Sequence, residues 1–434
     1  MKFQKIEIAN YKSLHNVSVK LSDLTVFVGA NASGKSNLTE ALDFIGEVYQ
    51  LGLESAIARK GGYENIAFRR ARRAKAPIRF IVEIEAPHYY SSIHRRLMKA
   101  KDKPQEYVRF IHAFSFKAKS TAIDAPYEII SESLKVYAKL KDFEDYKIAA
   151  EYARNKNGKI VKEFYSRSPE LKKFLRDSPF SRNPTDFFFM RRYRSTLGKT
   201  QLVFTGLMDI YLRGGRYYYQ QRNYISSFQL NPRSCRESGI PTPNPELHRY
   251  GANLPAMISF LKREHIEIYE KIVPTLRQVF PSLHQLNLSY THTKALALQF
   301  QEIGFKRPWT AEDVSDGTIT TLAILVAIFN PANSMVVIEE PENSMHPWGI
   351  RSILKAIRTA TESKQIVLTT HSPVVVDSVR PEEVAVVNRN SKGWTNITPL
   401  IDLDNSIAEQ WHSGTSTLAN ILDSGSVPEA VPGA

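Results

Sequence analysis

The chain has 434 residues, of which 42% are hydrophobic and 24% are charged. This length accommodates two or three domains, and the composition is that of a globular protein that buries a core. Its single cysteine, Cys235, excludes an internal disulfide. No segment has the roughly 18 consecutive apolar residues of a membrane helix, and the N-terminus lacks the apolar core of a signal peptide. We therefore expect a cytoplasmic protein without a membrane partner.

The formal net charge of +14 is distributed unevenly along the chain. Between Arg59 and Cys235 there are 37 Lys and Arg against 17 Asp and Glu, a net charge of +20 that leaves −6 for the remainder. Such an asymmetry indicates two parts with different tasks, one of them strongly basic.

The N-terminal part of the chain predicts strands, one helix and then further strands. Residues 1–30 form short strands that end in the apolar run LTVFVG. A helix is predicted from near Gly34, because apolar residues recur there at helical spacing. Three segments that begin near residues 76, 106 and 127 are rich in β-formers and partly alternate apolar with polar residues. They predict a side sheet with hairpins.

The remainder of the chain changes from an irregular to an alternating pattern. Residues 150–235 are rich in Arg and Tyr and predict helices with long loops. A helix pair or one bent helix follows, with a break expected at Pro274. Two strands come next. Then a helix from Asp316, a buried strand, a helix and two more strands predict a mostly parallel sheet. The residues after Ile421 are expected to be disordered.

These patterns predict four consecutive segments. The two halves of one domain flank an insertion, and a tail follows the second half. The predicted bounds are 1–150 for the N-terminal half, 151–244 for the basic, aromatic-rich insertion, 245–420 for the C-terminal half and 421–434 for the tail.

A phosphate-binding loop is predicted at the first strand-to-helix junction. GANASGKS, Gly29 to Ser36, fits G-x-x-x-x-G-K-[ST] in the strand–loop–helix context that this motif requires. Backbone N–H groups at the start of a helix bind phosphate, and Gly34 allows close approach. Lys35 is expected to reach the β- and γ-phosphates of ATP, and the Ser36 hydroxyl to hold Mg²⁺. The expected nucleotide contacts here are Ala32, Ser33, Gly34, Lys35, Ser36 and Asn37.

Two adjacent carboxylates close the buried strand in SMVVIEEPE. Burial of such a pair is costly unless a metal or a reaction uses it. We expect Glu339 to hold Mg²⁺, directly or through water, and Glu340 to act as the general base for the attacking water. The alternative is an ordinary acidic loop start. The apolar strand favours the first interpretation, because it brings the pair to the sheet edge beside the P-loop.

A histidine ends the next buried strand, VLTTHSP. This residue, His371, is predicted to contact the γ-phosphate or the attacking water. An isolated histidine in such a place is more often structural. Its position after the other two motifs favours the functional interpretation.

The segment V-S-D-G-T, residues 314–318, opens an apolar helix. Alone it predicts a helix cap with Ser315 or Asp316 at the N-cap. A hydroxyl and backbone N–H groups at a helix N-terminus also make an anion site. The position of the segment just before the Glu-Glu strand favours this second role for Ser315, Asp316 and Gly317.

Together these motifs resemble the ABC-type ATPases of the SMC, RecF and OLD (overcoming lysogenization defect) group, over about residues 1–60 and 245–400. The resemblance implies an α/β fold: a P-loop ATPase head with a mostly parallel core sheet, an antiparallel side sheet and a basic, mainly helical insertion. In that family the signature faces the γ-phosphate held by a partner's P-loop. The resemblance therefore implies a head-to-tail homodimer, or a higher homo-oligomer of dimers, that binds ATP and Mg²⁺.

Further residues match this family. Lys12 and Ser13 occupy the turn after the first strand and Asn31 lies in the phosphate loop, positions that touch nucleotide in relatives. The stretch Glu339 to Pro347 resembles a Walker B segment followed by a D-loop, and Arg59–Gly62 resembles the turn after the first helix. Glu339 stands where most ABC proteins have Asp. No Q-loop glutamine is identified from the sequence.

The basic region 59–235 admits three interpretations. In the first, its arginines pair with nucleic-acid phosphates while tyrosines stack on bases. In the second, the region docks an acidic protein partner. In the third, its tyrosines pack a core under a solvated basic face. The tyrosines considered for stacking are Tyr217, Tyr218, Tyr219 and Tyr224.

Function is predicted from the same resemblance. We expect no Toprim nuclease domain, such as OLD proteins have, within the 63 residues after His371, and we expect Asp402 and Asp404 to line a turn. Stand-alone ATPases of this kind are similar to subunits of antiphage systems such as Septu and PARIS, which implies a separate effector, a nuclease or toxin. The alternatives are a RecF-like repair ATPase that loads partners onto DNA, and a non-hydrolysing scaffold stabilised by ATP.

Overall fold

The computed structural model describes residues 1–68, 76–87, 106–119, 126–141, 143–177, 201–202, 205, 224–404, 406–424 and 427. These residues form two compact units that are discontinuous in sequence. The first comprises Met1–Leu21, Ala41–Tyr224 and Asn390–Thr395, and the second comprises Ser22–Glu40, Ile225–Arg389 and Asn396–Ala434. This division describes contacts, and the four consecutive segments expected from the sequence stay predictions.

The first unit is built on a seven-stranded antiparallel sheet in the order β2-β1-β4-β5-β6-β7-β8. The predicted side sheet is thereby confirmed, with alternating burial along its central strands. Stacked rings of Phe44, Phe80, Phe114 and Phe116 lie in its core. The strands are β1 (Lys2–Tyr11), β2 (Leu14–Lys20), β4 (Ile78–Pro87), β5 (Tyr107–Ala118), β6 (Tyr127–Lys139), β7 (Lys147–Asn155) and β8 (Ile160–Tyr165).

The start of the predicted helical insertion is β-structured. Strands β7 and β8 cover most of residues 147–165, although the sequence predicted helices with long loops from residue 150, and their hairpin turns at Asn155–Gly158. Tyr224 is 5% exposed and packs edge-on to Tyr49, so the prediction that it stacks on bases is wrong. Tyr217, Tyr218 and Tyr219 lie outside the described residues. The helices of this unit are α2 (Leu53–Arg59), α3 (Tyr63–Ile66) and α4 (Pro169–Asp177), with the C-terminal part of α1 (Lys35–Leu51).

The second unit contains a six-stranded sheet in the order β16-β15-β3-β14-β13-β9, in which β9, β13, β14, β3 and β15 run parallel. The mostly parallel core sheet is thereby confirmed. Its central strands are buried throughout, as expected for a sheet covered on both faces. The strands are β3 (Leu24–Val28), β9 (Ile225–Phe228), β13 (Met335–Glu339), β14 (Gln365–Thr370), β15 (Val384–Arg389) and β16 (Thr395–Pro399), and a separate three-stranded sheet contains β10 (Leu283–Tyr290), β11 (Leu296–Glu302) and β12 (Trp309–Thr310).

Strand β14 separates the P-loop strand β3 from the carboxylate strand β13. The sequence placed Glu339 and Glu340 on a strand beside the P-loop. The order shows that the strand of His371 is the direct neighbour of both. All three strands run parallel, so their carboxyl ends meet at one edge of the sheet.

The helices of the second unit agree with the predicted pattern except at Pro274. This proline lies inside α7, which stays buried through Ile272, Val273 and Leu276, and the break falls at His265. Predicted disorder from residue 421 is wrong for Ile421–Asp423, which are helical, and Val427 is 1% exposed. These helices are α5 (Pro232–Arg236), α6 (Leu254–Glu264), α7 (Ile266–Arg277), α8 (Asp316–Phe329), α9 (Pro347–Thr361), α10 (Pro373–Val376), α11 (Leu400–Leu403), α12 (Ser406–His412) and α13 (Leu418–Asp423), with a 3₁₀ turn at Pro381–Glu383.

Candidate functional site

The P-loop joins the end of β3 to the start of α1 in a strained conformation. Gly29, Ala32 and Gly34 have φ angles of 154°, 61° and 114°. A Cβ at Gly29 would lie 2.0 Å from the Val387 carbonyl oxygen, so the loop start requires glycine. The first N–H groups of α1 have no acceptor one turn earlier in the helix, which makes this end an anion-binding site.

Lys35 crosses the inside of this loop. Its Nζ donates to the carbonyl oxygens of Gly29, at 2.8 Å, and Ala30, at 3.0 Å. Burial lowers the pKa of Lys35 to about 8, while the charges of Glu340 and Glu342 act in the opposite direction. The ammonium is thus held within the cradle that a phosphate would enter, next to two carboxylates.

Glu339 ends β13 with a side chain that is 6% exposed. Burial raises the pKa of this carboxyl, and the hydroxyls of Thr39 and Ser36 and the guanidinium of Arg249 counteract that effect. Arg249 Nη2 lies 2.8 Å from Glu339 Oε1. The site therefore keeps a carboxylate close to the hydroxyl at the end of the P-loop motif.

This donor set fits a magnesium ion. Among the described residues, no group of three or more His, Cys, Asp and Glu side chains could hold a metal ion. A Mg²⁺ that arrives with a triphosphate needs only one or two protein oxygens, because phosphates and waters supply the others. The Glu339 carboxylate and the Ser36 hydroxyl are hard oxygen donors of the required kind.

Glu340 leaves the strand in a left-handed backbone conformation, with φ of 46°. Its N–H donates to the Thr369 carbonyl oxygen at 2.9 Å. One carboxylate oxygen lies 3.3 Å from His371 Nε2, and the other accepts from Asn343 Nδ2 at 2.9 Å. The two side chains of the Glu340–His371 pair are 39% and 35% exposed, so water reaches them. A cavity of about 180 Å³, which His371 helps to line, lies between the P-loop start and α13.

Glu342 is a site residue that the sequence reasoning missed. Its Oε1 accepts from Thr370 Oγ1 at 2.6 Å and from the backbone N–H groups of His371, at 2.9 Å, and Ser372, at 3.2 Å. It thereby fixes the turn that carries His371 away from β14. Glu342 could have been identified from the sequence as the third acidic residue of E-E-P-E.

The signature segment forms the helix cap that one interpretation predicts, and its anion-binding role stays a prediction. Ser315 caps α8 by accepting from the Thr318 N–H at 3.2 Å, as the cap interpretation predicts, yet Ser315 and Asp316 remain exposed. A Cβ at Gly317 would lie 3.0 Å from the Ser344 carbonyl oxygen. The exposed end of α8 is thus packed against the segment after Glu340.

Arg236 on α5 holds the turn that precedes α8. It donates to the carbonyl oxygens of Ala311 and Val314, both at 2.9 Å, and its guanidinium lies 2.7 Å from Asp316. No sequence signal marked Arg236 or Arg249, because their partners lie far away along the chain.

The remaining predicted contacts are distributed between the two units. Asn31 and Asn37 lie in or next to the P-loop in the second unit, exposed and half-buried respectively. Lys12 and Ser13 belong to the first unit, where Ser13 Oγ and Thr395 Oγ1 are 2.7 Å apart. Their nucleotide contact stays a prediction. Asp404 caps a turn by accepting from the Ser406 N–H, as expected.

Gln229 directly follows β9, in the register position beside Glu339. Phe228 pairs with Ile338, and the exposed Gln229 comes next. Its backbone N–H donates to the Arg249 carbonyl oxygen at 2.9 Å. This is the edge where the P-loop and the carboxylates lie.

Solved structures similar to the chain include SMC heads. One, bound to the C-winged helix domain of ScpA, is 13% identical with a TM-score of 0.49, over 92% of this chain and 98% of that chain. The SMC head domain from Thermotoga maritima is 13% identical with a TM-score of 0.40, over 92% and 99%. No curated protein gives a significant match. None of the described helices is both long and apolar enough to cross a membrane.

Two family models match the sequence. Residues 1–186 match a model described as "AAA ATPase domain". Residues 97–377, more than half of the chain, match a second model. The chain therefore belongs to the AAA ATPase family described as "AAA domain, putative AbiEii toxin, Type IV TA system".

Proposed function

We propose that the protein is a Mg²⁺-dependent ATPase that acts as the sensor or switch subunit of an antiphage defence complex. In this role it controls a separate effector, a nuclease or toxin. The observation that carries the ATPase proposal is the meeting of Lys35, Glu339, Glu340 and His371 at one edge of a parallel sheet. The family description, which names a toxin of a type IV toxin–antitoxin system, supports a defence role.

Each side chain has a distinct chemical task in this proposal. Lys35 and the first N–H groups of α1 bind the β- and γ-phosphates. Glu340 accepts a proton from the attacking water, and His371 holds Glu340 and the water in place. Glu339 and Ser36 would hold Mg²⁺, which when bound would neutralise phosphate charge. Gln229, beside Glu339, is the residue that we assign to the Q-loop role.

The dimer proposal depends on the exposed end of α8. Ser315 and Asp316 are accessible, so in a head-to-tail homodimer they can face the nucleotide of a second copy. ATP then bridges the two chains, and hydrolysis releases them. Such a cycle is suited to holding an effector and letting it go.

The decisive variant is Glu340→Gln, which removes the base and keeps the size of the side chain. We expect the turnover number to fall at least about 100-fold, with ATP binding retained and ATP-bound dimers accumulating in size-exclusion chromatography. Glu362→Gln, at the far end of α9, is the matched control and should behave as wild type. Undiminished turnover in Glu340→Gln contradicts the assignment. Absence of turnover in the wild type favours the scaffold alternative.

The defence role is tested in cells. Phage plating efficiency is compared between cells with the wild-type gene in its native gene neighbourhood and cells with Glu340→Gln, and the native complex is purified through this subunit. We expect protection that requires Glu340 and a co-purifying nuclease or toxin. Equal plating in both strains contradicts the proposal. A complex made of recombination proteins favours the RecF-like alternative, which the basic region also supports.

A further inference from the structure

An ion pair outside the sequence motifs determines how Glu339 is held. Arg249 Nη2 lies 2.8 Å from Glu339 Oε1, and the two side chains are 28% and 6% exposed. A planar guanidinium binds a carboxylate through directional N–H bonds, so it restricts orientation as well as neutralising charge. One oxygen of Glu339 is therefore committed to the arginine.

The backbone around Arg249 is anchored to the neighbouring strand end. The Gln229 N–H donates to the Arg249 carbonyl oxygen at 2.9 Å, and the Asn231 N–H donates to that of Tyr250 at 3.0 Å. Gly251 closes the turn with φ of 94° and a hydrogen bond to the His248 carbonyl oxygen. Because β9 pairs with β13, the turn that carries Arg249 is held beside the strand end that carries the Glu339 carboxylate.

A glutamate at this position needs such a restraint. Its side chain has one more rotatable bond than an aspartate, so more orientations must be excluded before the carboxylate faces the P-loop. The Ser36 hydroxyl is the predicted companion ligand, and the Glu339 carboxylate already lies close to it. Side chains that orient a metal ligand without touching the metal typically change metal affinity 10- to 100-fold.

We propose that Arg249 is a positioning residue that holds the Glu339 carboxylate in the orientation required for Mg²⁺ beside Ser36. The inference rests on the proposed function, because it assumes that Mg²⁺ binds with ATP at this edge. Arg249 is not a metal ligand. Arg249 instead lowers the Mg²⁺ concentration that the site requires.

The test measures binding rather than turnover. Binding of a fluorescent ATP analogue to the full chain is titrated with Mg²⁺ for wild type, Arg249→Ala and Arg249→Lys. We expect Arg249→Ala to raise the Mg²⁺ midpoint about tenfold, while affinity for the analogue without Mg²⁺ stays unchanged. Arg249→Lys should restore part of the shift. Arg263→Ala, which removes an exposed arginine paired with Glu264, is the matched control.

A double-mutant cycle with Glu339→Asp separates orientation from general damage. The shorter side chain needs less restraint and reaches Arg249 poorly, so Arg249→Ala should shift the midpoint less in that background. An unshifted midpoint in Arg249→Ala overturns the proposal, and a lowered midpoint shows instead that Arg249 competes with the metal. If the wild type binds the analogue without any Mg²⁺ effect, the proposed function itself fails. Both failures are thus distinguishable.

Discussion

Lys35 is the buried charge from which we expect the most direct effect on nucleotide affinity. Its ammonium donates to two carbonyl oxygens of its own loop, and burial lowers its pKa to about 8. A triphosphate bound there would favour the charged form, so we expect the pKa of Lys35 to rise when ATP binds. We therefore expect protonation and ATP binding to be linked at this residue.

We expect ATP affinity to decrease as the pH rises above about 8, because the free protein then loses the Lys35 proton and binding must restore it. Calorimetry in two buffers of different ionisation enthalpy should detect proton uptake at pH 8.8 and little at pH 7. Lys35→Arg stays charged and should bind without this decrease. Constant wild-type affinity up to pH 9 contradicts the prediction.

At the residue scale, the sequence predicted the side chains whose chemistry is local. Lys35, Glu339 and Glu340 follow apolar strands within recognisable spacings, so their meeting at one sheet edge was predictable. Arg249 was not, because its partner lies 90 residues further along the chain. The two are brought together by the pairing of β9 with β13 and by the hydrogen bonds that hold the turn of Arg249 at the end of β9. The roles of the predicted residues await the variants described above.

At the element scale, the start of α8 is held by α5. Arg236 is 12% exposed and satisfies two carbonyl oxygens of the turn before the signature segment. Its removal leaves these acceptors without their donor, which costs about 1–3 kcal/mol. The position of Ser315 is thereby linked to a helix that is distant from it in the sequence.

Arg236→Ala should therefore lower the free energy of unfolding by about 1–3 kcal/mol and weaken ATP-dependent dimerisation, while nucleotide binding by the P-loop persists. Urea denaturation and size-exclusion chromatography with ATP measure the two effects. Arg358→Ala, which breaks an ion pair with Glu383 away from the signature segment, is the control and should leave dimerisation intact. Normal dimers of Arg236→Ala would argue against the coupling.

Two glycines with similar backbone conformations allow a matched stability comparison. Gly251 has φ of 94°, and a Cβ there would lie 2.2 Å from Cys235 Sγ, whereas Gly158 has φ of 76° with nothing within 4 Å. Gly158→Ala should cost about 1 kcal/mol, from the backbone alone. Gly251→Ala should cost about 3 kcal/mol, because overpacking is added. Equal melting temperatures for both variants would contradict the close packing around Cys235.

Elements were predictable where one pattern dominated. The strand β13 follows from a continuous apolar run, and the helix α9 follows from apolar residues at helical spacing. The prediction of a break at Pro274 was wrong because the stabilisation from burying one face of α7 exceeds the cost of the hydrogen bond that a proline removes. Strands β7 and β8 were missed because their many charged and polar residues obscure the alternation, and β8 is a mostly exposed edge strand.

At the scale of the whole molecule, the excess of positive charge between Arg59 and Cys235 predicts salt-dependent binding of nucleic acid. Neutralising Arg191, Arg192 and Arg194, which lie outside the described residues, should reduce the slope of log affinity against log salt by up to about three. Fluorescence anisotropy with a DNA duplex at several salt concentrations measures this. An equal reduction when Arg263, Arg277 and Arg380 are replaced would show that only total charge matters.

The order of the parallel sheet also bears on how the protein is made. Strand β3 leaves the ribosome long before its neighbours β14 and β15, because most of the chain lies between them in the sequence. Since translation proceeds at about 5–20 residues per second, the buried apolar side chains of β3 wait for roughly tens of seconds before their partners emerge. The sheet edge at which the P-loop, the two carboxylates and His371 lie is therefore completed only after β14 has been synthesised.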